Sequence, residues 1–195
     1  MPPPPPVTQA LLLINVALFC LDLFVGPWFS RLFALWPLGP NFLPWQLLSY
    51  SFLHGSIEHL FFNMLGLWMF GGELELLWGR KRFIQFLVAS ALAAALIQIV
   101  WTMLIGSRVP TVGASGALFG LLLAFGMLFP NRIIMPLFPP IPMKAKIFVA
   151  IFGALELVLG FMGGGGVAHF AHLGGMLGGF LMIRFWRRQS PFGRR

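Results

Sequence analysis

Charge is scarce in this chain. Asp, Glu, Lys and Arg make up 9% of its 195 residues, against roughly 25% in a soluble domain. Hydrophobic residues reach 58%, and mean hydropathy is +0.88. These values exclude a water-soluble globule; an integral membrane protein built as one compact unit is expected. Cysteine is nearly missing. The single Cys20 excludes an intramolecular disulfide and any multi-cysteine metal site. Met1 to Gln9 contains no Lys or Arg, so the basic n-region of a cleavable signal peptide is lacking and none is expected. No internal repeat of fixed period is visible, which argues against a repeat-built transporter.

What is present is a series of six apolar segments: Thr8–Val25, Ser56–Leu76, Phe83–Ile105, Ser115–Phe129, Ile147–Met162 and Val167–Trp186. About 20 apolar residues cross the hydrocarbon core, and backbone groups in lipid must be paired within their own segment. The expected fold is therefore all-α, a bundle of six transmembrane helices. Segments four and five are short, which suits helices that begin or end inside the protein. Pro2 to Pro6 reads as a short extended tail. The expected organisation is a proline-rich tail over 1–7, the membrane domain over 8–187 and a basic tail over 188–195.

The basic residues fix an orientation. Arg80, Lys81, Arg82, Arg132, Lys144, Lys146, Arg184, Arg187, Arg188, Arg194 and Arg195 all fall on one side if both termini are cytoplasmic; only Arg31 and Arg108 fall on the other. This is the positive-inside pattern. It accounts for a net charge of +8 without a nucleic-acid partner. The first external stretch, Gly26 to Leu53, is rich in Trp, Phe, Pro and Leu and is expected to lie in the headgroup region. Gly163 to Gly166 reads as a flexible hinge.

Polar residues at membrane depth are expensive to bury and are functional candidates by default. Ser115 opens segment four within Gly113-Ala-Ser-Gly116. There the free N–H groups and the positive dipole end of a helix lie beside it; the bland reading is an N-cap. His59 and Asn63 are four apart and share a helix face. They suit stabilisation of a developing oxyanion or, alternatively, hydrogen bonding between helices. Segment six carries His172 ahead of Gly175 and Gly179, a spacing that mirrors Gly116 and Gly120. Two such small-residue faces can pack backbone to backbone. That packing would bring His172, a base, to Ser115, a weak nucleophile until a base activates it.

No carboxylate is expected at the depth of His172, so a Ser–His dyad is favoured over a triad. Asp22 and Glu156 are left to packing or to an interface. His54, His59, His169 and His172 could in principle hold a metal. However, residues five apart on a helix point about 140° away from each other, and no carboxylate or cysteine pattern completes a set; no metal is expected.

Taken together, these motifs resemble the rhomboid family of intramembrane serine proteases. His54 to Asn63 resembles the family's His-x4-His-x3-Asn element, Gly113-Ala-Ser115-Gly116 its Gly-x-Ser-Gly motif, and Ala171-His172-x-x-Gly175-x-x-x-Gly179 its last-helix motif. The resemblance implies a six-helix core with Ser115 as nucleophile and His172 as general base, His169 being the rival. His59, Asn63 and the Ser115 backbone N–H would bind the oxyanion. Gly113, Gly116, Phe119, Gly120, Gly175 and Gly179 would support the site.

Two positions depart from the family. Trp45-Gln46 stands where Trp-Arg is common, and Phe119 where Tyr is common. The implied activity is cleavage of single-span membrane proteins near the outer membrane boundary, with the lipid bilayer as medium and no cofactor. The short core suggests a bacterial-type plasma membrane. The alternatives are a catalytically inactive rhomboid-like membrane chaperone or quality-control factor and, more distantly, a small-solute transporter using Asp22 and Glu156.

Overall fold

The computed structural model describes residues 3–137, 140–163 and 166–189. The centre of the Gly163–Gly166 hinge and most of the expected basic tail, with Arg194 and Arg195, lie outside the described residues. Within them the protein is almost entirely helical. Helix α1 spans Pro6–Val25; α2 (Pro27–Phe33) and α3 (Gln46–Ser49) belong to the first loop. Helix α4 (Ile57–Gly66) runs through one π turn into α5 (Gly72–Trp78), and α6 spans Arg80–Leu104. Helix α7 spans Ser115–Leu128. A two-residue hairpin, β1 (Ile133–Ile134) with β2 (Met143–Lys144), leads to α8 (Ala145–Met162) and α9 (His169–Gln189).

Among the described residues, α1, the continuous α4–α5, α6 and α8 are long and apolar enough to cross a membrane. Helix α7 is apolar but shorter. Helix α9 is long enough, but its glycines, two histidines and terminal arginines dilute its hydropathy. The outward surface carries large apolar side chains such as Phe24, Leu76 and Leu104, each more than 70% exposed. Only a bilayer solvates such a belt: this is an integral membrane protein.

Helix ends differ from the sequence expectation at three places. Pro6 and Val7, assigned to the tail, are the first residues of α1. A proline at the first helical position has no hydrogen bond to lose and a preset φ. The carboxylate of Glu75, buried on α5, caps that end, accepting from Val7 N, Thr8 N and Thr8 Oγ1 at 2.7–2.9 Å. Helix α6 starts at Arg80 and takes in the basic trio, and α9 continues past 187 through Arg188 to Gln189.

The core is built around α9, which packs most extensively on α6 and α7. Consecutive glycines serve both neighbours. Gly174 and Gly178 lie against the backbone of α6 at Ala89, Ser90, Ala93 and Ala94. Gly175 and Gly179 lie against Gly116 and Gly120 of α7, so close that a Cβ on Gly175 would collide with the Gly116 carbonyl. The large side chains Phe83, Phe86, Leu74 and Leu121 pack together at the end of the bundle where α5 meets α6.

The first loop is folded rather than loose. Gln46 is fully buried. Its Oε1 accepts from Trp36 N at 3.3 Å and Leu43 N at 3.1 Å, and its Nε2 donates to Leu32 O at 3.2 Å and Asn41 O at 3.1 Å. Where the family often places arginine, this neutral amide satisfies two donors and two acceptors at once. Gln46→Leu keeps most of the volume but strands those backbone groups. It is expected to destabilise the protein by about 2–4 kcal/mol, measured by thermal unfolding in detergent. Asp22 is likewise accounted for locally: both its oxygens accept from Ser30 Oγ, at 2.8 and 2.9 Å, which pins α2 to the end of α1.

Candidate active site

Ser115 is the first residue of α7. The first N–H groups of a helix have no acceptor within it, so the chain delivers a hydroxyl and a set of free amides to one place. The turn before it is held from the first loop. Tyr50 donates its hydroxyl to Ala91 O at 2.9 Å, and its own carbonyl accepts from Gly113 N at 2.9 Å. Gly113 has φ +128°, and a Cβ there would stand 2.7 Å from the His59 ring. Glycine is thus required at 113 by conformation and by contact.

His172 sits in the first turn of α9. Its Nε2 lies 2.7 Å from Ser115 Oγ, within hydrogen-bond reach for a general base. Its Nδ1 lies 2.8 Å from Glu156 Oε2 on α8. The face of its ring stacks on Phe119, with centroids 4.3 Å apart and planes 8° from parallel. The imidazole is therefore held at both nitrogens and on one face. His169, the rival base, does not meet the serine; its Nδ1 lies 2.7 Å from the same Glu156 oxygen.

The expectation that no carboxylate lies at the depth of His172 is corrected here. Glu156 stands 16 residues before His172 in sequence, and α8 turns its buried face so that the carboxylate enters the site. Nothing in the linear pattern marks it, because Glu156 is flanked by leucines and its partners are 13 and 16 residues away.

The structure separates the four histidines into two pairs. His54 and His59 stack edge to face at 5.1 Å, while His169 and His172 share Glu156. His54, in the loop before α4, is buried, and neither ring nitrogen has a hydrogen-bond partner among the described residues. Burial, with the neighbouring His59, pushes its pKa down to about 4. Among the described residues, Glu156, His169 and His172 bring ligand atoms within 4.8 Å of one another. Their O···N separations of 2.7 and 2.8 Å are those of hydrogen bonds. A tetrahedral zinc with bonds of about 2.0 Å would hold its ligands roughly 3.3 Å apart.

His59 reaches the turn before Ser115: its Nε2 and Ser115 Oγ both lie within 3.5 Å of the point where a Gly113 Cβ would stand. Asn63 is buried on the same helix. Its Nδ2 donates to the His59 carbonyl at 2.7 Å, which uses one of its two amide hydrogens. Gly116, Gly120, Gly175 and Gly179 set the close approach of α7 and α9 on which the Ser115–His172 distance depends.

The site can thus present a hydroxyl hydrogen-bonded to an oriented imidazole, next to free amides. Residues 41–189 match the family model for the rhomboid domain. The chain belongs to the rhomboid family. It is 33% identical over 181 residues to Rhomboid protein 1, mitochondrial, of Saccharomyces cerevisiae, covering 91% of this chain and 52% of that protein. It is 35% identical over 95 residues to the rhomboid protease GlpG of Klebsiella pneumoniae, covering 48% of this chain and 34% of the relative. Over 143 residues it is 32% identical to the rhomboid protease GluP of Bacillus subtilis, covering 70% and 25%. This rhomboid chain spans about half, or less, of the length of these relatives.

Phe119 offers a test of how the rhomboid site is held. If its plane orients the imidazole, Phe119→Tyr keeps activity. Phe119→Leu is then expected to lose roughly 10- to 100-fold in kcat, the scale of a small misplacement, with little change in melting temperature. Cleavage rate and thermal unfolding on the same two variants check this. A fully active leucine variant reduces Phe119 to core filling.

Proposed function

We propose that this chain is an intramembrane serine endopeptidase with six membrane spans and both termini cytoplasmic. It cuts single-span membrane proteins near the outer membrane boundary, in a bacterial-type plasma membrane. The observation that carries the reading is the 2.7 Å contact between Ser115 Oγ and His172 Nε2, at the start of an apolar helix where a hydroxyl has no other evident duty. Ser115 attacks the scissile carbonyl as its proton passes to His172 Nε2. The tetrahedral oxyanion is held by the Ser115 backbone N–H, the His59 ring and the second amide hydrogen of Asn63. His172 then gives the proton to the leaving amine. A water, deprotonated by His172, attacks the acyl carbon; the bond to Ser115 Oγ breaks, and His172 returns that proton to Oγ as the carboxylic acid product leaves.

Water has room at the N-terminal end of α9, on the side of His169. A pocket of about 300 Å³, lined by Gln98, Thr102, Ser107 and His169 among others, opens next to the start of α9. Peptide bonds inside a stable helix are shielded, so substrates are segments that unwind readily, with small residues around the cut, as the family resemblance implies. The rhomboid proteases of Klebsiella and Bacillus support proteolysis. Similarity to a yeast mitochondrial protein favours a mitochondrial membrane as the second reading of location.

The test is reconstitution into liposomes with a single-span substrate carrying a glycine-rich outer segment. Cleavage once near the outer boundary, mapped by product mass, is expected. Binding of the substrate without any cleavage would instead assign the chain to inactive rhomboid-like chaperones.

A further inference from the structure

Glu156 is a buried carboxylate that neither composition nor motif explains, and it makes no ion pair with Lys or Arg among the described residues. One of its oxygens meets two imidazole nitrogens, His172 Nδ1 at 2.8 Å and His169 Nδ1 at 2.7 Å. An ionised carboxylate only accepts hydrogen bonds, so each imidazole that bonds to it must carry its proton on Nδ1. For His172 this leaves Nε2 as the unprotonated atom, and Nε2 is the atom facing the serine. The other tautomer would point a proton at Ser115 and could not take one from it.

We propose that Glu156 is a positioning residue for His172. It fixes the Nδ1–H tautomer and stabilises the imidazolium formed as Ser115 attacks, while His169 holds the carboxylate in place as its second donor. This rests on the protease reading and extends its Ser–His pair to a Ser115–His172–Glu156 relay. No proton reaches Glu156: the serine proton stays on Nε2 until the leaving amine takes it. The bridging geometry gives the two outer partners unequal weight. Glu156 touches the base directly. Within this cluster the His169 ring hydrogen-bonds to Glu156 and not to His172, so its loss leaves the His172–Glu156 contact intact and costs less.

The experiment compares Glu156→Gln, Glu156→Asp and His169→Phe, with Ser115→Ala and His172→Ala as controls, on the purified full chain in detergent. Glu156→Gln is expected to lower kcat by roughly 10²- to 10⁴-fold with KM near wild type, since tautomer control acts on the chemical step. Glu156→Asp is expected to recover part of that loss, and His169→Phe to lose about tenfold, the scale of one hydrogen bond. In a His172→Ala background, Glu156→Gln is expected to change the residual rate no further, because it acts through the base.

A glutamine variant with wild-type kcat overturns the inference. So does one whose rate falls only in step with melting temperature and falls equally in the His172→Ala background, since that pattern belongs to packing. If the glutamine variant does not fold, the aspartate variant carries the comparison: a lowered kcat at unchanged KM and melting temperature supports the relay, and an unchanged kcat overturns it. Cleavage surviving in Ser115→Ala would sink the protease reading itself. Inactive Ser115→Ala and His172→Ala beside a fully active Glu156→Gln would remove only the relay.

Discussion

Ser115→Ala is expected to abolish cleavage, a loss on the order of 10⁶-fold in kcat, the scale seen when one member of a serine–base unit is removed. The substitution deletes one oxygen and its 2.7 Å contact and alters no helix packing, so the melting temperature should stay close to wild type. His172→Ala should fall to the same residual rate, and the double variant should be no worse. A nucleophile without its base and a base without its nucleophile are equally idle. Initial cleavage rates of the three variants in one detergent preparation check this. A rate in either single variant within tenfold of wild type would mean that the serine and histidine are not the reacting pair.

The second large effect is expected at Gly175. A β-carbon there would overlap the Gly116 carbonyl and stand 3.1 Å from Gly116 Cα. The collision is with backbone, which has no rotamer to retreat into, so α7 and α9 must separate or tilt. Overpacking of this kind costs about 1–3 kcal/mol. Because Gly116 adjoins Ser115 and Gly175 lies one turn after His172, the same shift opens the site, and ~1 Å there costs roughly 100-fold in rate. Even Gly175→Ala should therefore lose both stability and activity, and Gly175→Val more. Gly72→Ala is the control: its new Cβ would meet only Pro5 Cδ at an ordinary 3.5 Å. Melting temperature and cleavage rate on all three variants separate the outcomes. If Gly175→Ala matches Gly72→Ala, the close approach of α7 and α9 does not set the site.

These two effects could be argued from sequence because the residues concerned sit at fixed helical spacings. Gly116 and Gly120, and Gly175 and Gly179, repeat every four residues, and Ser115 and His172 precede their pairs by one and three. The other half of the same helix was not legible. Gly174 and Gly178 approach Ala89, Ser90, Ala93 and Ala94 of α6, and alanines in a long apolar helix mark no particular face. Glu156 was hidden for a different reason. Its partners lie beyond a glycine-rich stretch of sequence, so the rotation of α8 against α9, and not any local spacing, decides whether its carboxylate points inward. The folded first loop was hidden as well. A single buried amide, Gln46, organises it through backbone groups that have no sequence signature. Asp22 and Glu156, which alone hinted at transport, both have hydrogen-bond partners within the fold.

The central claim is that Ser115 is a nucleophile activated by His172. A serine-directed fluorophosphonate probe, incubated with the purified chain in detergent and located by peptide mass spectrometry, tests it without knowledge of any substrate. The account predicts one adduct per chain, on Ser115, lost in Ser115→Ala and strongly slowed in His172→Ala although both variants unfold at the wild-type temperature. A folded wild-type chain left unlabelled at Ser115, or labelled at the same rate with and without His172, would contradict it.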